Sequence, residues 1–388
     1  MSFQIKAVLS AAASIQREWN KQQRLALQNA VRLALPKHRA AACMRHRLGM
    51  SDVTVNATAS GKTRLGGLMV CDAFHVCPLC HQRKMAADKA TITELVHKHY
   101  AAGGLLVDAV LTVPHHAREP LAVVLERLET VWRALRSKPI WRNLENTLGA
   151  VGCIRRLEVT LTKNGWHPHL HVSFLCQGHT GIGERNESWV SALNDAHGSV
   201  AAIWAKAGLK AGVKVCLWAQ AAVTVIATVD AERAVAYNLK NMGLGDKSDS
   251  FTPVDLLRLI DQVDDLAVIR AAKQLFNEYA TAITGKHVLS LLGVARTLKG
   301  KALPPPRKQE ESEQLGSISA DGWHAVLSAN LREKVAQVRT REELVALILR
   351  VATFCGYPDI PTGWLKLSRE SKSVIEIKTS PGLAGEAN

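Results

Sequence analysis

The chain has 388 residues, 47% of them hydrophobic and 21% charged, which is room for two or three domains and excludes a disordered chain. Forty-nine Lys and Arg against 34 Asp and Glu leave a formal net charge of +15, a balance that favours a polyanionic partner without naming one. No run of eighteen apolar residues occurs, so no membrane span is expected.

The Ala-rich stretch Ala7–Ala13 passes into a polar amphipathic pattern and makes a poor secretory leader. Four of the eight cysteines lie between Cys43 and Cys80; Cys153, Cys176, Cys216 and Cys355 are scattered in apolar contexts. A secreted disulfide scaffold would be shorter and denser. The expected compartment is the cytoplasm.

In chain order, apolar spacing predicts a helix over 14–35, stopped by Pro36. Residues 38–81 hold the clustered cysteines among Gly, Ser and Thr with little periodicity. A helical pattern over 82–102 ends at Gly103 and Gly104. Leu105–Val113 reads as a strand, followed by a helix with Leu121, Val124, Leu128, Val131 and Leu135 on one face. Val151–Leu161 and Trp166–Leu175 read as two strands joined through Asn164 and Gly165, a strong hairpin signal. A helix over 187–207, β-type sequence over 213–229, a short helix from Asp230 to Met242 and a long helix near 253–280 follow. Residues 299–315, with three consecutive prolines, read as a linker. Thr340 and Glu343 form a capping box before a helix stopped by Gly356.

The second strand of the hairpin is the most informative stretch. His167, His169 and His171 alternate and so project from one face, while Leu170 and Val172 point into a core. With a turn centred on Asn164-Gly165 and an even loop, opposed residue numbers sum to 329. Glu158 then faces His171, and Thr160 faces His169. A carboxylate beside two imidazoles suits a divalent ion such as Mn²⁺ or Mg²⁺. A three-residue loop would dissolve the site by putting Glu158 opposite Leu170. Pro168, which cannot donate to a ladder, calls for an edge position or a suitable register.

Tyr237 and Lys240 share a face of the short helix after Asp230. An ammonium there favours the phenolate over the phenol, whose pKa is ordinarily about 10. Cys43, Cys71, Cys77 and Cys80 can form a tetrahedral structural zinc site, with His75 and His81 as competing ligands. Arg45, Arg47, Lys62, Arg64, Arg83, Lys84, Lys89 and Lys98 concentrate basic charge in and after that segment. Trp166, at the hairpin mouth, is placed either to stack on an unpaired base or to pack within the hairpin.

Together the stretch Arg156–Thr160, the run Trp166–Val172 and the pair Tyr237 and Lys240 resemble the rolling-circle replication initiators of bacterial plasmids, in the HUH endonuclease superfamily. Leu111–Pro114 is similar to that family's first strand motif, Cys77–Lys84 to its cysteine motif, and Glu278 and Tyr279 with Thr284 and Gly285 to its distal helix. The resemblance covers about 40–298.

It implies that His169 and His171 bind the catalytic metal, with Glu158 or His167 completing the shell. Tyr237 would be the nucleophile, leaving a 5′-phosphotyrosine and a 3′-hydroxyl primer. The chain departs from the pattern at Arg233, where some relatives carry a glutamate; Glu232 lies about 140° from the face of Tyr237 on a helix. Asn241 stands where a second tyrosine occurs in others.

The expected fold is α+β: a central antiparallel sheet with flanking helices, HUH-endonuclease-like, with a zinc-clipped N-terminal segment and a helical C-terminal extension. The expected segments are an N-terminal helix (1–38), the cysteine-rich segment and its helix (39–104), the catalytic domain (105–245), a helical continuation (246–300), a linker (301–319) and a helical C-terminal region with a disordered tail (320–388). Single-stranded and duplex origin DNA, and a host helicase and polymerase, are the expected partners in a bacterial cytoplasm. A rolling-circle transposase of the same chemistry and a non-catalytic zinc-containing DNA-binding regulator are the competing readings.

Overall fold

The structure, a computed structural model, describes residues 2–16, 20–177, 200–215, 251–298 and 312–368. Its strands are β1 (Val53–Thr58), β2 (Thr63–Leu65), β3 (Leu105–Thr112), β4 (Ala150–Thr162), β5 (Gly165–Cys176), β6 (Leu289–Gly293), β7 (Ser312–Ile318) and β8 (Leu365–Leu367). They form two antiparallel four-stranded sheets, ordered β3-β5-β4-β6 and β2-β1-β7-β8. The fold is mixed α+β, and its first four α-helices are α1 (Ser2–Ser10), α2 (Lys21–Ala34), α3 (Pro78–Ala101) and α4 (Leu121–Leu135). Contacts divide the chain into a unit of Met1–His46 with Met69–Gln309 and a unit of Arg47–Leu68 with Glu310–Asn388.

In the first unit, strict alternation gives the sheet β3-β5-β4-β6 two different faces. One carries Leu111, Leu157, Val159, Leu170, Val172 and Phe174, all buried in the main core. Against it pack α4 (Leu121–Leu135), with Val124, Leu128 and Val131 in a helical stripe, and the helix Leu266–Ile283, with Leu275 and Phe276. Each such side chain contributes about 1.5–3 kcal/mol by leaving water, so the register of this sheet is strongly specified. On the opposite face, Leu106, Ile154 and Leu175 pack under Ile92, Leu95 and Val96 of α3 (Pro78–Ala101). The histidines occupy the other end of that face.

The Lys163-Asn164 loop has two residues and joins Thr162 to its ladder partner Gly165. Opposed numbers therefore sum to 327, not 329: Glu158 faces His169, Arg156 faces His171 and Thr160 faces His167. The turn centre moved by one residue, so the register moved by two, and every side chain kept its face. Thr162 Oγ1 accepts from Asn164 N at 3.1 Å, and Gly165 takes the positive φ of +94° just after the loop. Pro168 sits one position past the end of the β3 ladder, which stops at Thr112–His169, so β5 has one strand neighbour there.

Other expectations shift for identifiable reasons. The helix expected over 14–35 begins only at Lys21, where the Asn20 side chain accepts from Gln23 N at 2.8 Å, and a separate helix, Ser2–Ser10, precedes it. The long helix near 253–280 is two helices, Pro253–Gln262 and Leu266–Ile283, the second started by the Asp265 side chain accepting from Ala267 N and Val268 N. The described part of the helix expected over 187–207 runs through Gly208 to residue 210. A helix over Lys138–Leu148, ended by Gly149 at φ +64°, escaped the sequence reading.

In the second unit, β1 and β2 lie within the stretch read as irregular, and β7 lies within the 301–319 linker. β1 pairs with β7 across more than 250 residues of chain, which no local pattern signals. Helices Ala320–Ser328, Arg332–Val335 and Arg341–Phe354 complete this unit. Thr340 Oγ1 accepts from Glu343 N at 3.2 Å, as the capping box requires, while Glu343 reaches back to Arg339 N rather than to Thr340 N.

Candidate functional site

β4 and β5 bring Glu158, His169 and His171 together, with one donor atom from each within 4.8 Å of the others. Glu158 Oε2 lies 2.7 Å from His171 Nε2 and 3.3 Å from His169 Nε2, so both imidazoles converge on one carboxylate oxygen. The tighter contact is to the diagonal neighbour, within reach because same-face diagonals on a twisted pair approach closely. His169 Nδ1 is 3.1 Å from the carbonyl oxygen of His167. With the proton on Nδ1 donated to that carbonyl, Nε2 keeps its lone pair for a metal.

Both histidines are buried, at 8% and 7% exposure. Burial pushes the His171 imidazolium down to about 4, against the Glu158 hydrogen bond that favours the charged form. At neutral pH His171 is the uncharged ligand that a metal needs. Two imidazoles and one carboxylate leave coordination positions open, the hallmark of a catalytic rather than a structural metal site. The donor set fits a divalent ion.

His167 shares the face but lies outside this three-donor group. Its ring lies between those of His169, at 5.1 Å and tilted 31°, and His115, at 4.9 Å and tilted 43°. Burial, then the neighbouring His169 and His115, push it down to about 4. His115 was not anticipated, although it directly follows the stretch Leu111–Pro114. The register that sets Thr112 against His169 was the missing signal.

Also unforeseen is a buried polar band beneath the site. Ser173 Oγ donates to Asp108 Oδ1, and Arg156 lies near enough to act on the Asp108 charge. Burial pushes the Asp108 carboxyl up to about 6.

The other cysteine-borne expectation has clear geometry. Cys43, Cys71, Cys77 and Cys80 are buried, with all four Sγ atoms within 4.8 Å of one another. Cys80 Sγ is 3.7 Å from that of Cys43 and 3.5 Å from that of Cys71. A disulfide requires about 2.05 Å; a tetrahedron of thiolates at roughly 2.3 Å from zinc gives S–S distances near 3.8 Å. The set fits a four-thiolate metal. Within it, hydrogen bonds from Cys43, Cys71 and Cys77 hold the Cys80 thiol well below its ordinary range, and Cys77 is pushed far up. His75 and His81 lie outside the cluster: His81 Nδ1 is 3.1 Å from the Phe74 carbonyl oxygen, and the His75 ring meets Phe74 edge-on.

Trp166 is not a base-stacking platform. It is 1% exposed and stacks on Tyr279, ring centroids 6.3 Å apart, because it falls on the core face of β5. Tyr279 in turn donates to the His75 carbonyl at 3.2 Å, and Glu278 accepts from Leu121 N at 2.8 Å, capping α4. Several of the basic residues are paired: Arg83 with Asp72, Lys84 with Asp88 and Lys98 with Glu94. Tyr237, Lys240, Glu232, Arg233 and Asn241, together with Cys216, lie outside the described residues.

The chain is similar to a Rep protein. Over 181 residues, 40% of each chain, it is 28% identical to Protein rep of Streptomyces lividans. It is also 26% identical, over 159 residues, to Neomycin resistance protein of Streptomyces cyanogenus, covering 34% of this chain and 36% of that one. The chain thus spans about two fifths of the length of the curated relatives it matches. No family model and no solved structure matches. Among the described residues, no helix is long and apolar enough to cross a membrane. The resemblance drawn from the histidine, tyrosine and cysteine motifs is to Rep-type proteins, and similarity to Protein rep supports it.

Proposed function

We propose that this chain initiates rolling-circle replication of a plasmid, in a bacterial cytoplasm, by nicking single-stranded origin DNA. The observation that carries the reading is the convergence of His169 and His171 Nε2 on Glu158 Oε2 at the end of the sheet β3-β5-β4-β6. Similarity to a protein named Protein rep supports it.

Tyr237 Oη attacks the scissile phosphorus. The phenol proton passes to solvent, the P–O3′ bond breaks, the departing 3′ oxygen takes a proton from solvent, and the 5′ phosphate stays esterified to Tyr237. Lys240, three residues on, stabilises the phenolate. Glu158, His169 and His171 would hold Mn²⁺ or Mg²⁺, which when bound would supply positive charge to the phosphoryl oxygens. The His169 Nδ1 contact to His167 O orients that ligand, and His167 lies beside it. Cys43, Cys71, Cys77 and Cys80 would hold Zn²⁺, which would clip the cysteine-rich segment. The freed 3′-hydroxyl is extended by a host polymerase behind a helicase that opens the duplex origin.

The test incubates the protein with Mn²⁺ and a labelled single-stranded origin oligonucleotide. A covalent adduct is expected with the wild type and none with Tyr237→Phe. An adduct that persists in Tyr237→Phe removes the tyrosine from its role, and no adduct with the wild type removes the nuclease reading altogether.

A further inference from the structure

On the sheet face opposite the histidines, between α4 and the edge strand β6, lies a cleft of about 460 Å³. Its polar wall carries Arg133, Arg136, Arg155, Lys286 and Arg296, opposed by two carboxylates, Glu126 and Glu129. Five cations against two anions leave +3 in a nucleotide-sized space. Its apolar lining on this face is Trp132 and Leu292, while Leu289 and Leu291 turn their side chains to the other face of the sheet, toward Ile92, Leu95 and Ile154.

The carboxylates are already engaged. Glu129 receives Arg155, and Glu126 sits 2.7 Å from Arg133 and 3.6 Å from Lys286. Among the described residues, Arg136 and Arg296 have no ion-pair partner, and both are exposed. At the base, Arg155 is 97% buried, its guanidinium lying 5.5 Å over the Trp132 ring and donating to His287 O at 3.0 Å. Its Nε is buried without a hydrogen-bond partner. A guanidinium lying over an indole and anchored to His287 O and Glu129 is a fixed donor, costing little reorganisation when an anion arrives.

We propose that this cleft is a second ligand site, taking a nucleotide phosphate on Arg136 and Arg296 above Arg155, with the base or sugar against Leu292. The demand for a phosphate group follows from the cleft itself. That the phosphate belongs to a DNA strand rests on the replication reading above. A strand held here would be gripped on the face opposite the cutting site, so that binding and cleavage draw on separate residues.

The rim variant Arg136→Ala/Arg296→Ala tests this without disturbing the buried Arg155. The control variant Arg32→Ala/Arg270→Ala removes two exposed arginines from other helices, and Arg136→Lys/Arg296→Lys keeps the charge. Binding of a fluorescent single-stranded oligonucleotide is measured across a salt series, with dTMP as a second probe. The expected result is an affinity loss of about tenfold or more for the rim variant, with the salt slope shallower by about one to two. The control variant should lose clearly less, the lysine variant should recover part, and Mn²⁺ binding should be unchanged.

If dTMP binds, is lost in the rim variant and is not displaced by the oligonucleotide, the site stands and its source is a free nucleotide. Equal losses in rim and control variants, or no loss of either probe, overturn the proposal. Because adduct formation through Tyr237 is read separately, a rim effect without an adduct keeps the cleft and sinks the nuclease reading, while an adduct without a rim effect does the reverse.

Discussion

At the scale of single residues, the candidate metal centre is a problem of one oxygen shared by two imidazoles. Glu158 Oε2 lies 2.7 and 3.3 Å from the Nε2 atoms of the buried His171 and His169. Glu158→Gln keeps the shape and removes the charge, so calorimetric Mn²⁺ affinity is expected to fall by at least the roughly 10–100-fold that losing a mere supporting contact costs. Thermal stability should change little, since Glu158 is part-exposed at the end of the sheet. Unchanged Mn²⁺ affinity would falsify the three-ligand assignment. Which residues could meet was readable from alternation alone; that Glu158 stands opposite His169 while touching His171 required the real register.

At the scale of elements, the β4–β5 hairpin decides whether the site exists. Its loop occupies Lys163 and Asn164, and Gly165 follows at φ +94°, where an added Cβ would stand 2.9 Å from Ala117 Cα. Both strain and clash oppose any side chain there. Gly165→Ala is expected to cost about 1–3 kcal/mol, read as a lower urea midpoint, and to weaken Mn²⁺ binding in parallel as the register loosens. A variant as stable as the wild type would show that the turn does not set the register. The turn residues were legible in the sequence, but their centre was misplaced by one position, because Asn-Gly pairs more often fill the loop itself. An even error in register left the faces intact. An odd one would have buried Glu158 among leucines.

At the scale of the whole molecule, acid is the informative stress. Burial holds His75, His81, His167 and His171 each near 4, below the ordinary histidine value of 6.5. Between pH 6.5 and 4 the unfolded chain therefore binds up to four more protons on these groups than the folded one, so stability falls as pH falls through that window. Asp108, raised to about 6 by burial, acts oppositely: the folded state binds its proton more tightly, and its contribution weakens as pH rises from about 4 to 6. The histidines outnumber it. With no divalent ion added, the urea midpoint is expected to drop from pH 7 to pH 5. Equal midpoints at the two values would mean that the four rings are not held neutral by burial.

Local chemistry alone determined the parts whose signal spans a few residues. Alternating histidines place ligands on one strand face, four cysteines in a polar stretch call for a clip, and apolar stripes mark α4 and the core-facing side of the sheet. Contacts between distant segments were decided only by tertiary structure. β1 and β7 pair although one was read as irregular and the other as linker, because a strand whose partner lies 250 residues away has no periodic signature of its own. Trp166 belongs to the core because the sheet has a buried second face there, covered by the helix that carries Tyr279. The basic cleft likewise joins residues of α4 to those around β6, which the chain separates by more than 140 positions. Net charge of +15 foretold an anion; only the packing of helix against sheet edge says where one fits.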